Sequence, residues 1–237
     1  MKKIKSLLLL IFLLVTSASF TQVNAPSIDS LKWEKSIKAF ELADLKKPPL
    51  QGGIEFIGSS TIRKWLSLEQ DYQGYPVFNR GFGGSQIIDS YNYALRIIIP
   101  YAPKKIFFHA GDNDLASGKS PDQVYNDFIK LVTLIRSKLP KTAIYFISLK
   151  PSEKRWKLHL EQQMVNESIQ DYAKNHPFIT YIDNYKMVSD ADGKPRPELF
   201  AEDKLHLNEA GYKLLIEKVR PYLEKYIHYI DLIYKNL

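Results

Sequence analysis

Five short runs of apolar residues recur along the chain, and each ends at a turn-forming or polar residue. The runs cover residues 54–57, 76–79, 105–110, 143–148 and 178–182. They are rich in aromatic and β-branched side chains and are four to six residues long, which is typical of buried strands. The pattern therefore predicts five strands.

Apolar residues at helical spacing follow two predicted capping residues. Ser120 is the predicted N-cap of one helix, with Gln123 as its capping-box partner, and Asn208 is the predicted cap of the last helix. Strands that alternate with helices form parallel sheets with helices on both faces. Right-handed crossovers then predict an α/β fold, a three-layer α/β/α sandwich.

The N-terminus has the three-part pattern of a secretory signal peptide. A basic start, Met1–Lys5, precedes the apolar run Leu7–Val15 and the small, polar residues Thr16–Ser19. We predict a signal segment over residues 1–22, cleaved between Ala18 and Asn24, with an uncleaved anchor as the alternative. The mature chain, 23–237, would then be one exported domain, periplasmic or secreted, without an integral membrane span.

Charge and cysteine content narrow the function classes. The chain has 33 basic and 26 acidic residues, a net charge of +7, and loss of Lys2, Lys3 and Lys5 would leave +4. The basic pairs at 46–47, 104–105 and 154–155 are isolated and are predicted to be solvated surface, not a nucleic-acid footprint. Without cysteine, the chain has neither disulfides nor a lipid-modified thiol.

Residues that follow the strands are the candidates for chemistry, because ligands of parallel α/β sheets bind at the carboxyl ends of the strands. Ser60 follows the first strand at the start of a predicted helix; a capping serine is the alternative to a nucleophile. Asp203 and His206 are three apart, so a carboxylate could orient the imidazole that accepts a serine proton. A polar surface turn is the other interpretation of this pair.

Two further strand ends carry candidate donors. Asn113 follows the third strand, where its amide could donate to an oxyanion, although a polar turn also fits. Asp112 and Asp114 alternate as metal ligands would, but no third carboxylate follows at ligand spacing. Gly83 and Gly84 follow the second strand, and glycine allows backbone N–H groups to approach a ligand closely.

Four segments, in order, resemble the sequence blocks of the SGNH hydrolases, also called GDSL lipases or acylhydrolases. They are residues 56–62, 79–85, 111–114 and 203–206. The resemblance implies that Ser60 is the nucleophile and that Asp203 and His206 complete a catalytic triad. It also implies an oxyanion hole formed by the N–H groups of Ser60 and Gly84 and the amide of Asn113.

The same resemblance implies a flavodoxin-like fold with a central parallel sheet of about five strands and no metal or organic cofactor. The implied reaction is hydrolysis of carboxylic esters through an acyl-enzyme. Ser59 stands where the family has its name-giving aspartate, which leaves Ser59 as an alternative nucleophile. The competing class is a catalytically degenerate glycan-binding module, against which the filled catalytic positions argue.

Substrate contacts are expected from two loops. One is the segment 151–159, which contains Arg155 and Trp156 and directly follows Lys150, and the other is the segment 185–200. No long apolar stripe lies near these segments, which favours a small or sugar-linked acyl ester. A lysophospholipase or thioesterase is the alternative.

The last part of the chain continues a helical apolar stripe beyond the four blocks. It comprises Tyr222, Leu223, Tyr226, Ile227, Ile230, Ile233 and Tyr234. We expect this helix to pack on the domain, with a homodimer contact or a membrane-surface helix as the alternatives.

Overall fold

Five parallel strands form one central sheet in the computed structural model, which describes residues 32–234 and, for side chains, residues 32–223. The strands are β1 Ile54–Gly58, β2 Val77–Gly81, β3 Lys105–His109, β4 Ala143–Ile147 and β5 Ile179–Ile182. Their spatial order is β2-β1-β3-β4-β5, and every neighbouring pair is parallel. This order is flavodoxin-like, so the predicted fold class is confirmed.

Helices connect the strands as the alternating pattern predicts. They are α1 Glu34–Asp44, α2 Ser60–Arg63, α3 Leu68–Asp71, α4 Ile87–Ile97, α5 Asp112–Ala116, α6 Pro121–Lys138, α7 His159–Lys174, α8 Asn184–Met187 and α9 Glu209–Tyr234. Ser120 and Gln123 form the predicted capping box of α6. Asn208 Oδ1 accepts the N–H of Gly211 at 3.1 Å, which confirms the predicted cap of α9.

Successive strand residues face opposite layers, and this alternation gives the domain two hydrophobic cores. Ile57 and Phe108 face the core beneath α1, α4, α6 and α7, whereas Phe56 and Phe107 face the core beneath α2, α3 and α9. The rings of Phe56 and Phe107 stack at 4.6 Å across β1 and β3. Because both faces are covered, the sheet edge at the strands' carboxyl ends is where loops can form a site.

Two sequence-based details are wrong. The second strand begins at Val77, because Pro76 has no N–H to donate to a ladder and instead accepts from Ile54 N–H through its carbonyl at 2.9 Å. Lys105 is not solvated surface: it is 2% exposed, and its ammonium donates to the carbonyls of Tyr222 and Leu223 at 2.6 and 2.7 Å. Burial lowers the pKa of Lys105 to about 8.

Two predictions fall on parts of the chain that are not described. The signal segment, 1–22, precedes the described residues, and the side chains of the apolar stripe beyond Leu223 lie outside them, so the homodimer contact stays a prediction. Leu223 itself is buried in the core, as expected. No helix within 32–234 is both long enough and apolar enough to cross a membrane.

Candidate active site

The junction of β1 and α2 places two serines at the carboxyl edge of the sheet. Gly58 has φ +139°, and a Cβ there would lie 2.1 Å from the carbonyl oxygen of His109 on β3, so only glycine fits. The next residue, Ser59, donates its N–H to that same carbonyl at 2.9 Å. Ser60 is then the first residue of α2, where its own N–H has no acceptor within the helix.

Ser60, His206 and Asp203 form one hydrogen-bonded line. Ser60 Oγ lies 3.0 Å from His206 Nε2, and His206 Nδ1 lies 2.6 Å from Asp203 Oδ2. Asp203 Oδ1 accepts the N–H groups of Leu205 and His206 at 3.0 and 2.9 Å. The hydrogen bond from the His206 ring, followed by that from the His206 N–H, holds the pKa of Asp203 well below its usual range.

The turn between Asp203 and His206 is supported by the segment after β4. Lys204 adopts a left-handed conformation, with φ +55°, and its carbonyl accepts the N–H of Lys154 at 3.1 Å. Its ammonium pairs with Glu153 at 2.5 Å. Beneath the turn, the buried ammonium of Lys150 donates to the carbonyl of Leu205 at 2.8 Å, and burial lowers the pKa of Lys150. The histidine and its carboxylate are therefore held from two sides.

Asn113 approaches the serines from the end of β3. Its amide nitrogen donates to Ser59 Oγ at 2.7 Å and to the Ser85 carbonyl at 3.0 Å, while its amide oxygen accepts from Arg155 Nη2 at 2.9 Å. Ser59 thus contacts the amide, whereas Ser60 faces the imidazole. This arrangement favours Ser60 over Ser59 as the nucleophile.

The neighbouring carboxylates point to separate partners. Asp114 is buried and accepts from Ile87 N–H at 3.2 Å and Lys119 at 3.0 Å; burial raises its pKa, against the effect of Lys119. Asp112 accepts from Gln162 at 2.6 Å. Among the described residues, no group of three His, Cys, Asp or Glu side chains is placed to hold a metal ion.

Gly84 lies in the turn between β2 and α4, at φ +87°. Neither its N–H nor that of Ser60 donates to a backbone carbonyl within the described part of the chain. Gly83 packs against the side chain of Arg63, since a Cβ there would lie 2.2 Å from its Nε and the arginine would have to shift. The N–H of Gly84 therefore has no backbone acceptor in this turn, and its role as an oxyanion donor stays a prediction.

A cleft of about 670 Å³ opens beside the Asp203–His206 turn. Its walls carry Trp156, Pro195, Pro197 and Phe200, together with charged side chains that include Lys194 and Glu202. The Trp156 ring stacks on His159 at 4.1 Å with an angle of 9° between the planes. The cleft therefore combines aromatic surface with charge.

The residues predicted after β4 to contact substrate differ in what they contact in the structure, and substrate contact itself stays a prediction. Trp156 lines the cleft, but Lys150 and Arg155 bind the protein itself, at Leu205 and Asn113. The sequence does not reveal these supporting contacts. It shows that two basic residues, Lys150 and Arg155, lie close to the carboxyl end of a strand, but not which residues they bind.

Comparison with known proteins places this geometry in a family. The sequence model of the GDSL-like Lipase/Acylhydrolase family matches residues 58–214. The chain belongs to this family. Membership identifies it as a hydrolase that acts on ester bonds. The match contains Ser60, Gly84, Asn113, Asp203 and His206. No curated protein matches the sequence significantly.

Solved structures share the fold of this GDSL-like hydrolase at low sequence identity. A Streptococcus pneumonia protein with the provisional name platelet activating factor is 23% identical, with TM-score 0.71, covering 81% of this chain and 94% of its own. A GDSL-like lipase from Bacteroides thetaiotaomicron is 18% identical, with TM-score 0.68 and coverage of 80% and 97%. A catalytic mutant of an acetylxylan esterase from Geobacillus stearothermophilus is 14% identical, with TM-score 0.61 and coverage of 74% and 95%.

Proposed function

We propose that this GDSL-like hydrolase is a serine esterase that removes small acyl groups from a carbohydrate through an acyl-enzyme. The observation that carries the proposal is the hydrogen-bonded line of Ser60, His206 and Asp203. A serine aligned with an imidazole, itself aligned with a carboxylate, is the arrangement that activates an alcohol for acyl transfer.

The reaction begins with attack of Ser60 Oγ on the ester carbonyl. His206 Nε2 accepts the hydroxyl proton and then donates it to the leaving alcohol, so the acyl group remains on Ser60. Water attacks this acyl-enzyme with His206 again as base, which releases the acid. Asp203 keeps a proton on His206 Nδ1, so that Nε2 is free to accept; the lowered pKa of Asp203 keeps the carboxylate ionised in this role.

The negative charge that develops on the ester carbonyl oxygen during attack by Ser60 is stabilised by hydrogen-bond donors. The N–H groups of Ser60 and Gly84 have no backbone acceptor among the described residues, and the amide of Asn113 contacts the residue next to each in the chain, Ser59 and Ser85. Such donors act most strongly in the transition state. In the free protein, both hydrogens of the Asn113 amide already have acceptors, so the oxyanion has to displace or share one of them.

The walls of the cleft support a carbohydrate as the alcohol part of the ester. Indole faces bind the apolar faces of sugar rings, and the charged residues of the rim suit hydroxyl groups. The acetylxylan esterase that shares the fold is consistent with this substrate class.

The test combines active-site labelling with a substrate panel. A fluorophosphonate probe should label the wild type and the matched control Ser59→Ala, but not Ser60→Ala. In the panel, kcat/KM should be highest for acetylated oligosaccharides, above p-nitrophenyl palmitate, an acyl thioester and lysophosphatidylcholine. Labelling that survives in Ser60→Ala would overturn the mechanism. Highest turnover of a lysophospholipid or thioester would overturn the substrate class alone.

A further inference from the structure

The amide of Asn113 has only one orientation that suits all its neighbours. The two ends of an asparagine amide have nearly the same shape, so its orientation is set by hydrogen-bond partners. Ser85 offers a carbonyl oxygen, which can only accept, and Arg155 offers a guanidinium, which can only donate. The nitrogen must therefore face Ser85 and the oxygen must face Arg155.

The orientation matters because a rotated amide would present the negative end of its dipole, not the positive end, to a developing oxyanion. With the amide turned by 180°, the side-chain oxygen of Asn113 would replace the donor beside Ser59 and Ser60. A carbonyl dipole there would repel a developing oxyanion instead of stabilising it. Ser59 cannot prevent this rotation, because a hydroxyl both donates and accepts.

We propose that Arg155 is a positioning residue that fixes the amide of Asn113 as an oxyanion donor. Its guanidinium donates to the amide oxygen at 2.9 Å and, together with the accepting carbonyl of Ser85, opposes rotation of the amide. The contact also draws electron density towards that oxygen, which makes the amide N–H groups stronger donors. This inference rests on the proposed function, because it assigns a support to the oxyanion hole of that mechanism.

The backbone conformation at Arg155 differs from that of the rest of its segment, which is consistent with a side chain that is directed to Asn113. Arg155 lies in a 3-10 segment, Glu153–Leu158, yet its own dihedral angles, φ −121° and ψ 26°, are not helical. Its neighbour Trp156 lines the cleft, whereas Arg155 binds Asn113, 42 positions earlier in the chain. One short segment thus places a cleft residue and a support for the reaction side by side.

A double-mutant cycle tests whether Arg155 acts through Asn113. We expect Arg155→Ala to lower kcat by roughly tenfold or more with KM changed about twofold at most, because a transition-state donor is affected. Asn113→Ala should lower kcat on the order of 100- to 1000-fold. In the Asn113→Ala background, adding Arg155→Ala should change kcat by less than about twofold, because the residue it orients is gone.

Controls separate positioning from folding and from substrate binding. Lys157→Ala removes a nearby exposed cation of the same segment and should leave kcat and the thermal midpoint unchanged. Arg155→Gln, which keeps most of the side chain, replaces Arg155→Ala in the cycle if the alanine variant does not fold. Arg155→Lys retains a donor and should lose less kcat than Arg155→Ala.

The outcomes distinguish this inference from the proposed function. Multiplicative losses in the cycle, or a change confined to KM, would overturn the positioning role while leaving the triad intact. An Asn113→Ala variant with full kcat would overturn both the oxyanion role of Asn113 and the role of Arg155. Loss of fluorophosphonate labelling in Ser60→Ala remains a separate measure of the proposed mechanism.

Discussion

At the residue scale, Asp203 is an exposed carboxylate in a hydrogen-bonded line with His206 and Ser60. Its side chain is 44% exposed, yet it accepts from the His206 ring and from two backbone N–H groups. These contacts, with the His206 ring first, lower the pKa of Asp203. The carboxylate therefore stays ionised in moderately acidic solution, although water reaches it.

Replacing this carboxylate with an amide should affect catalysis more than stability. Asp203→Asn can donate to His206 Nδ1, which would place the imidazole proton on Nε2, where it blocks proton transfer from Ser60. We expect kcat to fall by about 10⁴-fold, with KM and the thermal midpoint little changed. Steady-state kinetics on p-nitrophenyl acetate measure this. Asp192→Asn, in an exposed turn, is the control; a loss of kcat below about tenfold would contradict the role of Asp203.

The sequence predicts the site residues unevenly. Ser60 and Asn113 each follow an apolar run and Asp203 and His206 are three apart, but these patterns also fit a helix cap and polar turns. The resemblance to the family is what singles out the four residues. The contact of Arg155 with Asn113 could not be found, because it joins two loops through the orientation of one side-chain amide. A sequence pattern indicates where a residue lies along its element, not which way its side chain points across a site.

At the element scale, the β1–α2 junction depends on the close approach of two strands. Gly58 on β1 leaves no room for a methyl group beside the His109 carbonyl on β3, and its φ of +139° is unfavourable for other residues. Any Cβ at this position would force the strands apart and displace Ser60. The glycine therefore contributes both to stability and to the position of Ser60, the proposed nucleophile.

Gly58→Ala should destabilise the domain by about 3 kcal/mol or more, because backbone strain and a backbone clash act together. Gly118→Ala is a matched control: Gly118 also has a positive φ, +95°, but no atom within 4 Å of its added Cβ. It should lose only about 1 kcal/mol. Urea unfolding measures both free energies. If both variants lost the same free energy of unfolding, the close contact between residue 58 and the His109 carbonyl would not be the cause of the destabilisation.

Some elements could be predicted from the sequence and others could not. The strands are evident because both faces of the sheet are buried and most strand residues are apolar, with exceptions such as Glu55 and Lys105. Helix α7 is harder to recognise, since two of its four buried residues, Gln162 and Asn166, are polar and bind the segment after β4. Helix α1 buries only Ile37 completely, so its apolar stripe is too narrow to predict.

At the scale of the whole molecule, the sheet contains one buried carboxyl group that the catalytic site does not use. Glu55 on β1 has no exposed surface, and its side-chain oxygens have no hydrogen-bond partner among the described residues. Burial raises the pKa of Glu55 well above its usual range, against the opposing charge of Arg80. The folded protein therefore retains a proton that the unfolded chain releases.

This retained proton links global stability to pH. The contribution of Glu55 is fully present below the glutamate pKa of the unfolded chain and is lost as pH rises towards the folded-state pKa. Glu55→Gln cannot ionise, so its stability relative to the wild type should increase with pH, by up to about 1.4 kcal/mol per pH unit. Urea unfolding at pH 5 and pH 8 measures this difference. Glu217→Gln, exposed on α9, should show no such trend; a pH-independent effect of Glu55→Gln would contradict the prediction.

Two segments that line the cleft differ in whether they can accept insertions without disturbing the site. The segment that brings Trp156 to the cleft also contains Arg155 and the supports of the Asp203–His206 turn, so an insertion there would disturb the site. The segment that brings Lys194 and Pro195 to the cleft is closed on itself by the bridge between Ser189 and Pro195. Changes in the length or composition of that hairpin would alter contacts to the alcohol part of the proposed ester substrate without changing the residues around Ser60. In proteins that descend from this one, the hairpin side of the cleft should therefore vary in sequence and in substrate contacts. The side that supports the Asp203–His206 turn should vary little.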